Sequence, residues 1–460
     1  MDGKIRVLFY NLDGAGVNYF RTSTPATELE RNHSNEFYVE INPEINLNDP
    51  KLIDYLKTFH IIHYHRQLLA DTKQMLALAT KLRESGTILM VDIDDYWELH
   101  KKHPFYSLNL EKKMHIPILE NLKIADYVTT TTDLFANEIR KVTTKDNVGV
   151  FYNSIDPIWM KQFQNNWKPD PDGRVRISYA AGSSHMGDME QLDGVMNVLY
   201  NDWQLRDKFK VIIAGWDTEG NTTDITFNQE FGAELQKRGL WTINNVKIIN
   251  KTRGNVDMIP NLPQELKDKY RGKVFDTKQR DIKSEESIYL VYEKILTDNH
   301  KNIENPDYVQ WLSNLERNVA YPNEGNFARR WTQKANTYAK VLDETDIVIA
   351  PLADNPFNRM KSNLKQVECW TRKLPIVCSD IPPYNVHGRH MENCVLIPAE
   401  KNARKYWQKY LKRLILDADL RKQLGEQLYE DFKDEYNLAT VTKKRADFYR
   451  AAVAKTLAIV

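Results

Sequence analysis

Two lysines and a glutamate in the C-terminal part of the chain have the types and spacing of an anion-binding site. Lys361, Lys365 and Glu368 are spaced i, i+4 and i+7, which places them on one stripe of a predicted helix at 362–373. Two lysines beside a helix N-terminus attract an anion, because free N–H groups and the helix dipole add to their charge. Glu368 would lie about 10 Å along the axis from Lys361, roughly the span from a diphosphate to the ribose of a nucleotide. The alternative is a solvated amphipathic helix with ordinary Lys/Glu pairs.

Two short apolar runs flank this predicted helix. Residues 347–350 precede it and residues 376–378 follow it. Strand, loop, helix and strand in this order form the building block of a parallel sheet covered by helices. Ligands of such sheets bind at the carboxyl ends of the strands, where helix N-termini point. The predicted helix therefore has the position of a ligand-binding element.

The N-terminal half alternates strands and helices in the same way. Its first apolar run, at 5–10, leads into a loop that contains Gly14 and Gly16, although the full dinucleotide fingerprint GxGxxG is absent. These glycines indicate either a tight turn or a close backbone approach to a phosphate. Arg21, early in the next predicted helix, would face the same crevice.

Histidines and aspartates lie in or after two further predicted strands. His63 and His65 share one face by alternation, which favours a structural or substrate-contacting role over a metal site. Asp92, Asp94 and Asp95 lie at the carboxyl end of the next strand, where binding sites form. An Asp-x-Asp pattern holds a divalent cation in some proteins, and in others binds sugar hydroxyls or caps a helix. We expect hydroxyl binding or capping here.

Residues 167–173, Trp-Lys-Pro-Asp-Pro-Asp-Gly, have the composition of a linker, and the second half begins after a boundary near 165–173. A strand at 175–180 is followed by a turn with Ser183 and Ser184, and then by a predicted helix at 188–200. Such a turn offers backbone N–H groups and hydroxyls to a phosphate.

Residues 217–325 are charged, rich in tyrosine and poor in apolar stripes. They predict a mostly helical insertion with one strand, at 246–250. The helical pattern resumes at 327–342, immediately before the strand that leads to Lys361.

Size, charge and cysteine content restrict the class of protein. The chain has 460 residues, 42% of them hydrophobic, a net charge of +1 and three cysteines. Its length suggests two or three domains, and its balanced charge excludes a global attraction to nucleic acid or to membranes. A sparse, odd number of cysteines indicates reduced thiols. The first apolar run is too short for a signal peptide, and no window reaches the ~18 apolar residues of a membrane span. We therefore expect a cytoplasmic protein without membrane insertion.

Several short motifs occur in an order that is typical of one enzyme family. They are the glycine loop at 14–18 with Arg21, Ala125-Asp126 with the threonines at 130–132, Asn-Ser-Ile-Asp at 153–156, Ala-Pro-Leu at 350–352, and the segment 368–375 from Glu368 to Pro375. Together they resemble those of the GT-B glycosyltransferases, most closely the group called glycosyl transferases group 1 or family 4. The resemblance implies that Glu368 binds the ribose of a nucleotide sugar.

The chain departs from the family pattern at one position. The family's first glutamate, which usually touches the donor sugar, would stand at position 360, where this chain has Met360. Asn358, Lys361 and Lys365 occupy that neighbourhood instead. The resulting pattern, N-x-x-K-S-x-x-K-x-x-E, resembles a subgroup common among phage-encoded and some bacterial enzymes. The sequence DIDDYW followed by His103-Pro104 resembles the same subgroup.

The resemblance implies an α/β fold of GT-B type, with two Rossmann-like domains whose parallel sheets face a central cleft. Residues 1–168 would form the acceptor domain. Residues 169–437 would bind the nucleotide sugar and carry the insertion at about 217–325. Residues 438–460 would form a C-terminal helix that crosses back onto the first domain.

The implied activity is the transfer of a sugar, with retention of configuration, from a UDP-linked or similar donor to an acceptor hydroxyl. No metal or other cofactor is expected. Eight residues would bind the donor: Gly14, Gly16, Ser183, Ser184, Asn358, Lys361, Lys365 and Glu368. His65, Asp94 and Asp95 would orient sugar or acceptor hydroxyls during catalysis, and Arg21, Lys101 and Lys102 would bind the acceptor.

Several acceptors and functions remain open at this point. Double-stranded phage DNA with 5-hydroxymethylated cytosine would need a local cationic surface and a flipped base, and would place the enzyme in the host cytoplasm. A cell-envelope or capsule glycan would favour a basic, amphipathic membrane-docking patch on the N-terminal half, and the sequence shows no evident one. The same fold also serves nucleotide-sugar epimerases, and a non-catalytic nucleotide-sugar binder is the last alternative.

Overall fold

The structure is a computed structural model. It describes residues 3–11, 15–41, 51–103, 105–216, 221–238, 254–255, 262–270, 273–281, 288–297, 326–400 and 402–458. Gly14 and the strand predicted at 246–250 lie outside these residues.

The first half of the chain forms a six-stranded parallel sheet in the order β2-β1-β3-β4-β5-β6. Strands β3 and β4 are buried along their whole length, as expected for a parallel sheet covered on both faces. The strands are β1 (Ile5–Tyr10), β2 (Phe37–Ile41), β3 (Ile61–His65), β4 (Ile88–Ile93), β5 (Tyr127–Thr130) and β6 (Val148–Val150).

Helices connect these strands. They are α1 (Ala15–Val17), α2 (Thr24–His33), α3 (Leu52–Leu56), α4 (Thr72–Arg83), α5 (Tyr106–Glu111), α6 (His115–Ile124) and α7 (Asp133–Thr143). Asp71 and Thr132 begin α4 and α7 by accepting hydrogen bonds from backbone N–H groups of the first turn. A π-helical turn, Asn18–Ser23, precedes α2 and carries Arg21.

The second half forms another six-stranded parallel sheet, in the order β12-β8-β7-β13-β14-β15. The strands of this half are β7 (Val175–Ala180), β8 (Phe209–Trp216), β9 (Asn221–Phe227), β10 (Gly254–Asn255), β11 (Lys273–Asp281), β12 (Phe327–Trp331), β13 (Ile347–Ala350), β14 (Ile376–Ser379) and β15 (Val395–Ile397). Two parallel sheets with covering helices confirm the predicted architecture of two Rossmann-like α/β units.

Short helices dominate the middle of this half, and long ones its end. They are α8 (Met186–Met189), α9 (Val195–Asn201), α10 (Gln229–Lys237), α11 (Gln264–Lys269), α12 (Ile288–Leu296), α13 (Pro356–Arg359), α14 (Leu364–Trp370), α15 (Tyr384–His387), α16 (Ala403–Leu416), α17 (Ala418–Phe432) and α18 (Leu438–Leu457). The helix predicted at 188–200 is interrupted at Gly194, whose φ of +77° suits glycine and breaks a helix.

The predicted helical insertion is in part a sheet and in part core. Strands β9, β10 and β11 form a three-stranded antiparallel sheet. Helix α12 packs into the core of the second half through Tyr292 and Leu296. Its Glu293 forms a buried ion pair with Arg329 on β12, at 2.6 Å. Residues 288–296 are therefore the crossover helix between β8 and β12, and they do not belong to a peripheral insertion.

The prediction of a helix at 327–342 is also wrong. Residues 327–331 are the edge strand β12, and a 3-10 helix, Tyr338–Glu344, follows a loop. Parallel pairing with β8 and the burial of four of the five residues of β12 override the local helical pattern.

Helix α18 returns to the first half, as predicted. Its Ala446, Tyr449 and Val453 pack in one core with Val7 and Phe9 of β1. The domain boundaries near 168 and 437 stay predictions, and they fall between elements: β6 ends at Val150 and β7 begins at Val175.

Two further observations concern the whole described chain. The three cysteines are buried and form no disulfide bond. Within the described residues, no helix combines the length and the apolar character that crossing a membrane requires.

A histidine joins α18 to the first sheet. His63 contacts the Tyr449 hydroxyl through Nδ1 and the Thr129 hydroxyl through Nε2, both at 3.0 Å. Thr129 donates its own proton to Asp92, so His63 Nε2 donates to Thr129 and Nδ1 accepts from Tyr449. Burial lowers the pKa of His63 to about 3, and the imidazole is neutral in the folded protein.

This histidine should make the protein sensitive to mild acid. In the unfolded chain, His63 takes up a proton as the pH falls below its ordinary pKa of about 6.5, whereas in the folded protein it stays neutral. The free energy of unfolding therefore decreases as the pH drops. At pH 5 this effect lowers the free energy of unfolding by about 2 kcal/mol. The fall in melting temperature between pH 7.5 and pH 5 should therefore be smaller in His63→Gln than in the wild type. The half-exposed His33→Gln is the control, and equal falls in all three proteins would contradict the assignment.

Candidate active site

A cavity of about 1080 Å³ lies in the cleft between the two halves of the chain. Six residues that the sequence predicted for the site line it: Gly16, Asp94, Asp95, Lys361, Lys365 and Glu368. The structure thus brings together residues that are more than three hundred positions apart in sequence.

Glu368 lies on α14 and is held by two donors. Lys365 Nζ donates to one carboxylate oxygen at 2.8 Å, and the Tyr338 hydroxyl donates to the other. Only 3% of Glu368 is exposed, yet it borders the cavity. Burial, with the neighbouring carboxylate, raises the pKa of Tyr338 well above its usual value, so the phenol stays a donor. The sequence analysis missed Tyr338, because it lies in the segment interpreted as an α-helix.

Lys361 is not on the same helix as Glu368. Helix α14 begins at Leu364, and Lys361 lies in the turn between α13 and α14. The predicted stripe of three side chains is therefore wrong, although Lys361 still reaches the cavity. Its Nζ lies 4.8 Å from the centre of the Phe357 ring, and no carboxylate pairs with it among the described residues.

The turn that carries Lys361 is tied to the other half of the chain. Asn153 Nδ2 donates to Ser362 Oγ at 2.9 Å. Asn153 in turn accepts a hydrogen bond from Arg21 Nη1 at 3.2 Å. The position of Lys361 therefore depends on residues of the first half.

Arg21 does not bind an acceptor in this arrangement. Its guanidinium is 1% exposed and forms two hydrogen bonds with Asp92, at 2.6 and 3.0 Å. A third goes to the Phe151 carbonyl, at 2.7 Å. Burial would raise the pKa of Asp92, but Arg21 lowers it to about 2. The prediction of acceptor contact is corrected: Arg21 is a buried structural cation.

Asp94 and Asp95 form the wall opposite Glu368. His65 Nε2 lies 2.9 Å from Asp94 Oδ1, and Arg66 donates to Asp95 at 3.1 Å. Although burial opposes it, His65 and Arg66 lower the pKa of Asp94, which is therefore a carboxylate. His65 is buried behind Asp94 and is not among the residues that line the cavity. It positions Asp94, whereas the sequence predicted a direct contact with hydroxyls.

Asp188 organises the turn at the start of α8. Its Oδ1 accepts from Ala353 N and Asn358 Nδ2, both at 2.7 Å, and its Oδ2 lies 2.7 Å from His185 Nδ1. Asn358, predicted to bind the donor, is buried and also donates to the Ala353 carbonyl, so its amide is used inside the protein. The spacing of His185 and Asp188 across Ser-His-Met-Gly-Asp was the sequence signal for this pair, and it was overlooked.

A second cavity, of about 520 Å³, adjoins the first and shares His185 and Lys361 with it. Ser184 and His103 line it too. Burial and the charge of Lys361 lower the pKa of His103 to about 4, so this imidazole is neutral. The side chain of Ser183 lies outside the described part of the structure.

Of the two lysines predicted for the acceptor, Lys102 lines the second cavity. Lys102 Nζ contacts the Glu190 carboxylate at 2.6 Å and so bridges the two halves. Lys101 is exposed. The described residues contain no group of three or more His, Cys, Asp or Glu side chains that could hold a metal ion, and metal independence stays a prediction.

Comparisons with known proteins give structural matches only. No family model and no curated protein matches the chain. Anabaena HepE, solved in complex with UDP, superimposes with a TM-score of 0.51 at 11% identity, over 97% of this chain and all of that one. Sucrose-phosphate synthase from Thermosynechococcus elongatus superimposes with a TM-score of 0.54, also at 11% identity, over 98% of this chain and all of that one. A glycosyltransferase from Rickettsia africae superimposes with a TM-score of 0.53 at 11% identity, over 98% of this chain and 99% of that one.

The chain has the GT-B fold. At this low identity the likeness shows the fold alone, so any activity must be argued from the residues of the cleft. The cleft combines a lysine that pairs with none of the described carboxylates, a carboxylate held by a phenol and a lysine, and an opposing pair of aspartates.

The link between Asp188 and His185 can be tested by titration. Burial and Lys361 lower the pKa of His185, while the hydrogen bond to Asp188 raises it. Asp188→Asn should therefore lower the pKa of His185 further, as followed by NMR of the imidazole protons. Asp354→Asn is the matched control, because Asp354 borders the second cavity but pairs with Arg359. An unchanged His185 titration in Asp188→Asn would contradict the geometry.

Proposed function

We propose that this protein is a glycosyltransferase that moves a sugar from a UDP-linked donor to an acceptor hydroxyl. The observation that supports it best is the placement of Lys361 and Glu368 on one wall of the cavity between the two GT-B halves. The HepE complex with UDP supports the choice of nucleotide. Retention of configuration and independence of a divalent metal are proposed from the sequence resemblance.

Glu368 is suited to hold a ribose. A carboxylate has about four lone-pair sites, and Tyr338 and Lys365 occupy one on each oxygen. One acceptor site therefore remains on each oxygen, and two adjacent ribose hydroxyls can donate to them. Tyr338 and Lys365 fix the carboxylate in position before the nucleotide arrives, which lowers the cost of ordering it.

Lys361 is suited to stabilise the departing diphosphate. Among the described carboxylates none pairs with it, so its charge is available, whereas the charge of Lys365 is shared with Glu368. A fixed cation in a cleft that excludes water is worth more than one in bulk solvent, and it acts where negative charge develops in the transition state.

Asp94 and Asp95 would receive hydroxyls on the opposite wall. Arg66 Nη2 lies 3.6 Å from Asp94 and 3.1 Å from Asp95, so its charge offsets part of their negative charge, and both side chains keep oxygens that can accept hydrogen bonds. Asp94 and Asp95 would thereby orient the sugar or the acceptor relative to the bond that breaks.

The acceptor suggested by the resemblance is 5-hydroxymethylated cytosine in double-stranded phage DNA. A duplex contact needs several cations along one groove, and Lys102 is already paired with Glu190. The proposed donor chemistry does not depend on which hydroxyl receives the sugar.

Nucleotide binding tests the role of Lys361. Lys361→Ala should weaken binding of UDP by about tenfold, or about 1.4 kcal/mol, and leave binding of uridine unchanged, because uridine lacks the diphosphate. Isothermal titration calorimetry at low salt measures both. Lys405→Ala, an exposed lysine on α16, is the control. An equal loss of affinity for UDP and for uridine would contradict the assignment of Lys361 to the diphosphate site.

Turnover tests the whole proposal. With UDP-glucose and a panel of acceptors, the wild type should release UDP. In Glu368→Ala the value of kcat/KM should fall by more than roughly tenfold, which corresponds to about 1.4 kcal/mol of transition-state stabilisation. The exposed Glu392→Ala is the control. Binding without UDP release from any acceptor would indicate a non-catalytic binder, and conversion of the donor to a sugar isomer would indicate an epimerase.

A further inference from the structure

The segment 101–116, here called the rim segment, exposes an unusual run of apolar side chains. Phe105 is 56% exposed, Leu110 47%, Met114 41% and Ile116 44%. They lie on and beside α5 and at the start of α6, within twelve positions of one another. Clustered exposed apolar groups of this kind, rimmed by polar residues, mark interaction sites.

The rim segment is also strongly cationic. It contains Lys101, Lys102, Lys112 and Lys113, all of them exposed, against a single acid, Glu111. Because Lys102 pairs with Glu190, the other three lysines and Glu111 leave an excess of two positive charges, against a net charge of +1 for the whole chain. Lysines that flank exposed apolar residues are complementary to a surface that is anionic outside and apolar beneath.

The position of the rim segment connects it to the site. Lys102 contacts Glu190 across the mouth of the cleft. The ring of His103 packs against Phe357, with 5.4 Å between ring centres, and His103 lines the second cavity. A surface that binds the rim segment therefore lies beside the entrance to the cavity.

We propose that the rim segment docks on an anionic lipid bilayer, and that the cleft receives an acceptor hydroxyl held at that surface. The acceptor part rests on the proposed glycosyltransferase function, whereas the docking part does not. Apolar side chains are stabilised when they leave water, and each lysine near an anionic membrane adds electrostatic attraction. Short amphipathic segments with lysines on one side and Phe and Leu on the other lie in the membrane interface.

A DNA duplex is the less suitable partner. Its phosphates would attract the lysines, but Phe105, Leu110, Met114 and Ile116 would stay in water, and their exposure would remain without a role. A bilayer accounts for the charge and the apolar residues together.

Vesicle flotation of the full chain tests the docking. The wild type should bind vesicles of phosphatidylcholine mixed with phosphatidylglycerol, and bind pure phosphatidylcholine at least roughly tenfold more weakly. Raising the salt concentration should weaken binding to the mixed vesicles. Lys112→Glu with Lys113→Glu, and separately Phe105→Ser with Leu110→Ser, should each reduce binding by at least roughly tenfold.

Matched controls lie elsewhere on the surface. Lys443→Glu with Lys444→Glu changes two exposed lysines of α18, and Trp203→Ser changes a side chain that is 78% exposed. Both controls should bind like the wild type, and all variants should keep the wild-type melting temperature. The rim variants should also keep the wild-type affinity for UDP, since none of the four residues lines either cavity.

The outcomes separate the alternatives. Absence of binding to the mixed vesicles, or equal losses in the control variants, would overturn the docking proposal. Duplex DNA binding that is lost in Lys112→Glu with Lys113→Glu, without vesicle binding, would overturn it in favour of nucleic acid. A wild type that binds vesicles but neither UDP nor UDP-glucose would defeat the proposed function and leave the docking surface intact.

Discussion

The buried ion pair between Arg21 and Asp92 is the interaction on which the geometry of the cleft depends. Two charges taken out of water are tolerated only when their hydrogen bonds are satisfied. Here Asp92 accepts from Arg21 and Thr129, and Arg21 also donates to Phe151 and Asn153. Because Asn153 then donates to Ser362, an ion pair inside the first half fixes the turn that presents Lys361 from the second.

The same network continues away from the cleft toward the end of the chain. Thr129 contacts both Asp92 and His63, and His63 contacts Tyr449 on α18. Helix α18 thus covers the first sheet and also completes the hydrogen bonds beneath the aspartate wall. Hydrogen bonds therefore connect the first half, the turn at Lys361 and the C-terminal helix in one network.

Local pattern was sufficient for several central strands of the two parallel sheets, but it failed for β12 and for β9–β11 and did not reveal the polar contacts. Short apolar runs such as 347–350 and 376–378 predicted buried parallel strands, because a strand covered on both faces is apolar along its length. The spacing of Lys361, Lys365 and Glu368 fits a helix equally well whether it starts at 362 or at 364. Only the short helix α13, capped by Asn355, shows that Lys361 falls in a turn. The sequence pattern could not predict that Arg21 is buried, because its partner Asp92 lies 71 positions away and no local rule pairs them. Arg21 was therefore expected to face the crevice.

The burial of all three cysteines has a practical consequence for studying motion. Since Cys369, Cys378 and Cys394 have no exposed thiol, a cysteine introduced on the surface would be the preferred target of a maleimide dye. One such position on α7 and another on α16 would carry a donor and an acceptor fluorophore on opposite halves. Energy transfer between them would then act as a molecular ruler for the opening and closing of the cleft, molecule by molecule.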